Sequence, residues 1–283
     1  MDWLVLTLAV PLGGGHLLVD ALHRCGARAV DRDGDRVLAL FPPADPDDLA
    51  AEVRAAVVAS TGVTPEISWS RQDPAAWEAR WRAEQVSRRV GDRIVVAPAG
   101  AGLEGIVPRP EDVVIRLAPG VAFGTAEHAT TRACLGLLEE HVRPGNRVLD
   151  IGTGSGVLAI GAALLGAGAV LALESDPWSC DVARRNVAAN GVDGRVEVRE
   201  LEVTPSTLRR LGRRDLVVAN IEAAVILSLI PALPRALARG GRVILSGIVA
   251  DERDPVVDAV GRAGLHPVTE WRDGSWWTAV LAR

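Results

Sequence analysis

Lysine is absent from this chain of 283 residues, and its 31 Lys or Arg positions are all arginine. We read that bias as the base composition of the coding genome rather than as a functional device. A surplus of positive charge is missing too. Against 36 acidic residues the net charge is −5, which gives no support to a protein that binds nucleic acid through a basic surface. Cysteine is scarce. Cys25, Cys134 and Cys180 are odd in number, widely spaced and form no C-x-x-C, which argues against a disulfide framework or zinc site and for a reducing, cytoplasmic compartment. His16, His23, His128, His141 and His266 are scattered, so no metal site is expected. Long apolar runs are lacking as well. Trp3 to Val10 is short, has no basic leader and is broken at Gly13-Gly14-Gly15, so neither a signal peptide nor a membrane span is expected. No internal repeat or low-complexity tract is present. The remaining composition, 48% hydrophobic and 24% charged, is that of a globular protein with length for one large or two medium domains.

The stretch from Arg147 to Gly156 reads as a buried strand, a tight glycine turn and a helix start. Gly152, Gly154 and Gly156 free the backbone for positive φ and let a ligand lie against bare main chain. A second apolar strand, Ala169 to Leu173, ends in Glu174, 22 residues after Gly152. A carboxylate there can accept hydrogen bonds from both hydroxyls of a ribose. The spacing is G-x-G-x-G, not the G-x-G-x-x-G of a dinucleotide fold that seats a pyrophosphate on a helix start. Asp150, two residues before the first glycine, would repel a pyrophosphate. It suits a cationic or zwitterionic ligand, such as the amino-acid end of S-adenosylmethionine. A nicotinamide-dependent oxidoreductase is the competing enzyme class, and it lacks its third glycine here.

Strand signals at Trp3–Val10, Ala27–Asp31, Arg36–Phe41 and Thr64–Ser70, with helices over His16–Arg24 and from Asp45 or Asp47 to about Ser60, give the order βαββαβ. That order suggests a small α+β ferredoxin-like domain over residues 1–71. Residues 72–90 read as a linker helix that starts at Asp73-Pro74 and carries Trp77 and Trp81 on one face. Residues 91–283 form the larger domain. Strands read at Arg88–Pro98, which begins within the linker stretch, and at Glu111–Leu117. Strands then follow at Arg147–Ile151, Ala169–Glu174, Arg195–Glu200, Asp215–Ala219, Arg242–Ser246, His266–Trp271 and Trp277–Leu281. Helices fill the gaps through Leu165, Asn190, Arg210, Leu237 and Ala263. The pattern predicts an α/β fold with a seven-stranded doubly wound sheet. Its final hairpin at Asp273-Gly274 inserts an antiparallel strand. At most one of the adjacent Trp276 and Trp277 can face a site.

The glycine loop, the acidic strand end and the closing hairpin resemble the class I S-adenosylmethionine-dependent methyltransferases. Four further segments narrow the resemblance to the PrmA family, whose members methylate the eleventh protein of the large ribosomal subunit. Phe123 to Thr131 is similar to its F-G-T-G-x-H-x-T-T element. Val218-Ala219-Asn220-Ile221 is similar to its V-A-N-I, and Leu245 to Ile248 to its L-S-G-[IV]. Trp77 and Trp81 resemble its linker tryptophans. The resemblance implies S-adenosylmethionine as cofactor, contacted at Thr131, Gly152, Glu174 and Asn220 and, in the surrounding elements, Phe123, Gly124, Thr125, Asp150, Gly154 and Gly156. Asn220, at the carboxyl end of its strand, is placed to accept a hydrogen bond from the acceptor amine or from the cofactor and is the expected catalytic residue. The activity implied is methylation of lysine or N-terminal amines of a large-subunit ribosomal protein that is docked by the front domain. Three departures stand out. Glu174 replaces the usual aspartate, Ala126 and Ala129 replace a glycine and a proline, and Glu222 replaces the leucine of N-I-L-A. The last keeps two alternatives open, a methyltransferase of another protein and a non-catalytic protein that retains the cofactor fold.

Overall fold

The computed structural model describes residues 3–9, 15–33, 36–73, 86–118 and 128–283. The expectations for Phe123, Gly124, Thr125, Trp77 and Trp81 lie outside these residues. The described residues fall into two compact units, 3–73 in one and 86–118 with 128–283 in the other.

The first unit has the order β1 (Trp3–Ala9), α1 (Gly15–Arg24), β2 (Ala29–Asp33), β3 (Arg36–Phe41), α2 (Pro46–Thr61) and β4 (Glu66–Gln72). Its antiparallel sheet runs β2-β3-β1-β4, the ferredoxin-like arrangement that the sequence predicts. Alternation along β1 sends Leu4, Leu6 and Leu8 to one face. There they meet Val37, Ala39 and Phe41 of β3 and the i, i+4, i+8 stripe Leu49, Val53 and Val57 of α2. Asp45 starts α2 by accepting from the amides of Asp47 and Asp48 at 3.1 and 3.2 Å. Gly62 closes it in the left-handed conformation, φ 71°. Strand β4 extends to Gln72, into the stretch that the sequence assigns to a linker.

The second unit opens with a three-stranded sheet of β5 (Arg88–Val90), β6 (Ile94–Pro98) and β7 (Val113–Leu117). Strand β5 pairs antiparallel with β6, and β6 parallel with β7. Arg88–Pro98 is therefore strand as expected, but folded into the two antiparallel strands β5 and β6 around a turn at 91–93, and Arg88–Val90 is strand inside the stretch also assigned to the linker. The main sheet contains β8 (Arg147–Ile151), β9 (Ala169–Glu174), β10 (Val196–Glu200), β11 (Arg214–Asn220), β12 (Leu237–Val249), β13 (His266–Asp273) and β14 (Trp276–Ala282). Its order is β10-β9-β8-β11-β12-β14-β13, with β14 antiparallel to both neighbours. Helices α3 (Ala129–His141), α4 (Val157–Leu164), α5 (Pro177–Ala189), α6 (Pro205–Arg210), α7 (Ala223–Leu229), α8 (Leu233–Ala236) and α9 (Arg253–Arg262) cover the sheet. Strands buried on both faces divide their side chains between two cores. Val148, Val170 and Val218 pack with residues of α3 and α4, while Leu149, Leu171 and Val217 pack with residues of α6 to α9. Asp150, two residues after Val148, therefore belongs to the face of α3 and α4.

The largest boundary difference from expectation lies ahead of β12. The helix predicted to reach Leu237 is split into α7, a 3-10 turn over Ile230–Ala232 and the single turn α8. Pro231 and Pro234 remove the amide donors that a continuous helix needs. Leu237 then pairs with Arg214, so β12 starts five residues before Arg242, with an irregularity between Arg214 and Leu216 of β11. No helix among the described residues is long and apolar enough to cross a membrane.

Candidate active site

Three features meet at the carboxyl ends of β8, β9 and β11: the glycine loop, two acids and the end of β11, with the start of α3 close by. In the loop, Gly152, Gly154 and Gly156 have φ values of 71°, 53° and 85°, conformations that side chains with a Cβ rarely adopt. The amides of Gly152 and Thr153 both donate to the Leu173 carbonyl, at 2.9 and 3.0 Å, and the Gly156 amide donates to the Thr153 carbonyl at 2.9 Å. Gly156 then begins α4 with no side-chain cap. A Cβ on Gly152 would fall on Cγ2 of Ile221, so the loop is pressed against the exit of β11. Asn186 buttresses the loop from α5. Its amide group donates to the Ser155 carbonyl at 2.8 Å and accepts from the Ala118 amide beyond β7 at 2.8 Å.

The two acids differ in environment. Glu174 is half-buried and ends β9. Its Oε2 accepts from the Gly154 amide at 3.0 Å, and its Oε1 accepts from the amides of Ser175 and Asp176 at 2.8 and 3.1 Å. Three main-chain donors thus orient the carboxylate, two of them filling Oε1, and Oε2 keeps a lone pair for a further donor. Asp150 is fully buried. Its Oδ2 accepts from the Thr153 hydroxyl at 2.6 Å, whereas its Oδ1 has no partner among the described residues. Burial pushes the Asp150 carboxyl up to about 7, with the Glu174 charge adding to the rise and the Thr153 hydroxyl and, more weakly, the Ala159 backbone amide opposing it.

Asn220 ends β11 opposite Ser246 of β12. It is 8% exposed, and its Oδ1 is a second buried acceptor without a partner among the described residues. Behind it, the hydroxyls of Ser246 and Thr278 share a 2.6 Å hydrogen bond. Helix α3 packs on β11, β12 and β14. Thr130 and Thr131 have the stronger capping propensity, but His128 caps the helix instead. The imidazole Nδ1 accepts from the Thr130 amide at 3.4 Å and lies 2.6 Å from the Thr130 hydroxyl. The ring sits edge-on to Trp276, with centroids 4.9 Å apart. Trp276 is thereby the tryptophan on the α3 side. Trp277 is fully buried and donates from Nε1 to Glu270 at 2.8 Å. With Thr130 engaged by His128, Thr131 is left fully buried with its Oγ1 unpartnered among the described residues.

Buried polar atoms without partners cost free energy on the order of 1–3 kcal/mol each. Here three of them, on Thr131, Asp150 and Asn220, belong to residues that the sequence had already singled out. Two of the three can only accept, and the third can donate or accept. With the bare glycine turn and the oriented Glu174, they fit a ligand that carries an ammonium and hydroxyl groups. Glu222 is exposed at the N-cap position of α7 and makes no capping bond. The sequence reading missed Asn186, Thr153, Ser246 and Thr278. A polar residue at a core-spaced position of a helix, as Asn186 is between Ala183 and Val187, is the signal that marks the first of them.

The family described as Ribosomal protein L11 methyltransferase (PrmA) matches residues 21–283. A ribosomal protein L11 methyltransferase of Pelotomaculum thermopropionicum is 38% identical over 313 aligned positions, covering 100% of this chain and 99% of that protein. One from Symbiobacterium thermophilum is 44% identical over 208 positions, covering 73% of this chain and 65% of that protein. Among solved structures, a ribosomal protein L11 methylase from Lactobacillus delbrueckii subsp. bulgaricus is 33% identical with a TM-score of 0.61, covering 70% of this chain and 99% of that one. Sequence motifs, sheet order and these matches agree: the chain is a methyltransferase and belongs to the PrmA family.

Proposed function

We propose that this protein transfers methyl groups from S-adenosylmethionine to lysine or N-terminal amines of a large-subunit ribosomal protein in the cytoplasm. The observation that carries the reading is the set of buried acceptors around the glycine turn. When bound, the cofactor supplies a methyl group on a positively charged sulfur. The turn from Gly152 to Gly156 offers bare backbone for the nucleoside. Glu174, held by three amides, takes the ribose hydroxyls. The free Oδ1 of Asp150 takes the ammonium of the amino-acid end, and Thr131 takes its carboxylate side.

The acceptor amine must present a lone pair in line with the transferring group. Asn220 Oδ1 accepts a hydrogen bond from a neutral amine and so aims that lone pair, while the surrounding burial excludes water. The Nδ1 of His128 is engaged by Thr130, and in this reading the acceptor amine gives up its proton to solvent before entry. In this reading the front domain docks the protein substrate. Glu222 supports a second reading, in which another protein is the acceptor, because an exposed carboxylate there changes what the site's rim attracts.

The test is intact-mass analysis of a purified large-subunit ribosomal protein incubated with this chain and S-adenosylmethionine. Mass increments of whole methyl groups, mapped to amines, are expected. Cofactor binding without any increment would refute the assigned substrate. Failure to bind the cofactor would refute the site.

A further inference from the structure

Ile221 is held on three sides. Its amide donates to the Ser246 carbonyl at 3.2 Å. Its side-chain Cγ2 occupies the space that the missing Cβ of Gly152 leaves. On the other side stands Gly247, where β12 slips its register against β14 between Leu245 and Ile248. Gly247 has φ 78°, and a Cβ there would lie 2.6 Å from the Ile221 carbonyl oxygen, 2.9 Å from its nitrogen and 3.0 Å from its carbonyl carbon. The first contact is with a flexible side chain. The second is with peptide atoms that no rotamer change can move.

We infer that Gly247 is a positioning residue for Asn220. The bulge in β12 lets the Ile221 peptide lie flat against Gly247, and the Ile221 side chain then bears on the cofactor turn at Gly152. The stack Gly247–Ile221–Gly152 sets the spacing between Asn220 and that turn. The inference rests on the reading of Asn220 as the residue that faces the acceptor. Any Cβ at position 247 must push the Ile221 peptide, and Asn220 with it, by roughly 1 Å to restore ordinary contact near 3.5 Å. A displacement of that size costs about a hundredfold in turnover.

Gly240 is an internal control. It lies in the same strand with φ 74°, and a Cβ there meets nothing within 4 Å. Gly247→Ala and Gly240→Ala therefore share the backbone strain, and only the first carries the clash. The expected result is a fall in kcat of about a hundredfold for Gly247→Ala relative to Gly240→Ala. KM for the ribosomal protein should stay within about twofold, because Asn220 acts on the acceptor in the transition state, whereas the cofactor Kd should rise, because the pushed Ile221 side chain bears on the Gly152 turn.

A double-mutant comparison separates the two contacts. Ile221→Ala should restore much of the cofactor affinity that Gly152→Ala loses, and should not restore turnover to Gly247→Ala. Turnover of Gly247→Ala equal to that of Gly240→Ala, or rescue of Gly247→Ala by Ile221→Ala, would overturn the inference. So would a crystal structure of Gly247→Ala with Asn220 undisplaced, and that readout needs no substrate. Absence of turnover in the wild type, by contrast, strikes only at the assigned substrate.

Discussion

The buried carboxyl of Asp150 makes cofactor affinity depend on pH in a direction that can be worked out. Burial raises it to about 7, against about 3.9 in an unfolded chain. Three units correspond to at most about 4 kcal/mol between the neutral and charged forms. Because the folded value is the higher one, the stabilising contribution is complete below the unfolded pKa, near 4. It is lost as pH rises through about 7. A bound ammonium reverses the preference, since it pairs with the charged carboxylate and returns its pKa towards the ordinary range.

Cofactor binding should therefore expel a proton, and affinity should climb with pH up to about 7 by as much as roughly tenfold per unit. Between pH 5 and pH 7 the gain approaches about a hundredfold. Calorimetric titration with S-adenosylmethionine in two buffers of different ionisation enthalpy measures both quantities. Near pH 5.5 it should report release of close to one proton per cofactor. Asp150→Asn should flatten the affinity profile and, without cofactor, should gain stability over the wild type above about pH 7 but not near pH 4. Equal affinity at pH 5.5 and 7.5, with no proton released, would show that the unpartnered Oδ1 does not meet the ligand's cation.

Further outcomes follow from the same geometry. Glu174→Gln turns an amide group towards main-chain donors and should weaken cofactor binding by about 1.5–3 kcal/mol, roughly ten- to a hundredfold. Unchanged affinity by calorimetry would remove Glu174 from the pocket. Burial raises the thiols of Cys134 and Cys180, to about 12 and about 11, while half-buried Cys25 is raised less sharply. Alkylation of the native protein near pH 8 should then label Cys25 first, and peptide mapping that finds Cys134 labelled first would contradict the packing of α3. Arg89 holds the Asp112 carboxyl down to about 2 through a paired hydrogen bond. That stabilisation is present above the ordinary carboxylate range and lost as pH falls towards about 2. Asp112→Asn should therefore be less stable than the wild type at neutral pH, with a gap in denaturant midpoint that closes below about pH 4. A gap that is constant with pH would disprove the pairing.

The main sheet was legible because its strands are apolar on both faces and end at glycine or acidic punctuation. Arg147–Ile151 and Ala169–Glu174 match their expected bounds residue for residue. The front domain was legible from alternation in Trp3–Ala9 and from an aspartate cap before α2. What stayed hidden depends on contacts distant in sequence. The early start of β12 needs its partner Arg214, and the two prolines that end the helix before it give only a weak hint. His128 as the cap of α3 was obscured by two threonines with stronger capping propensity. Of the site, the acids and glycines announced themselves by spacing. The role of Ile221 could not be read locally, because it depends on a register slip in a strand some 25 residues further on.

Strand β14 is synthesised after β13 and yet lies inside it, wedged between β12 and β13. The earlier strand has no edge to join until the later one has docked. A nascent chain cut anywhere before Trp276 thus forfeits two strands together, along with Thr278, the hydroxyl that backs Ser246. The β12–β14 pairing that completes the sheet closes a long loop, the kind of non-local contact that forms slowly. Half-made molecules therefore lack a finished wall behind Asn220.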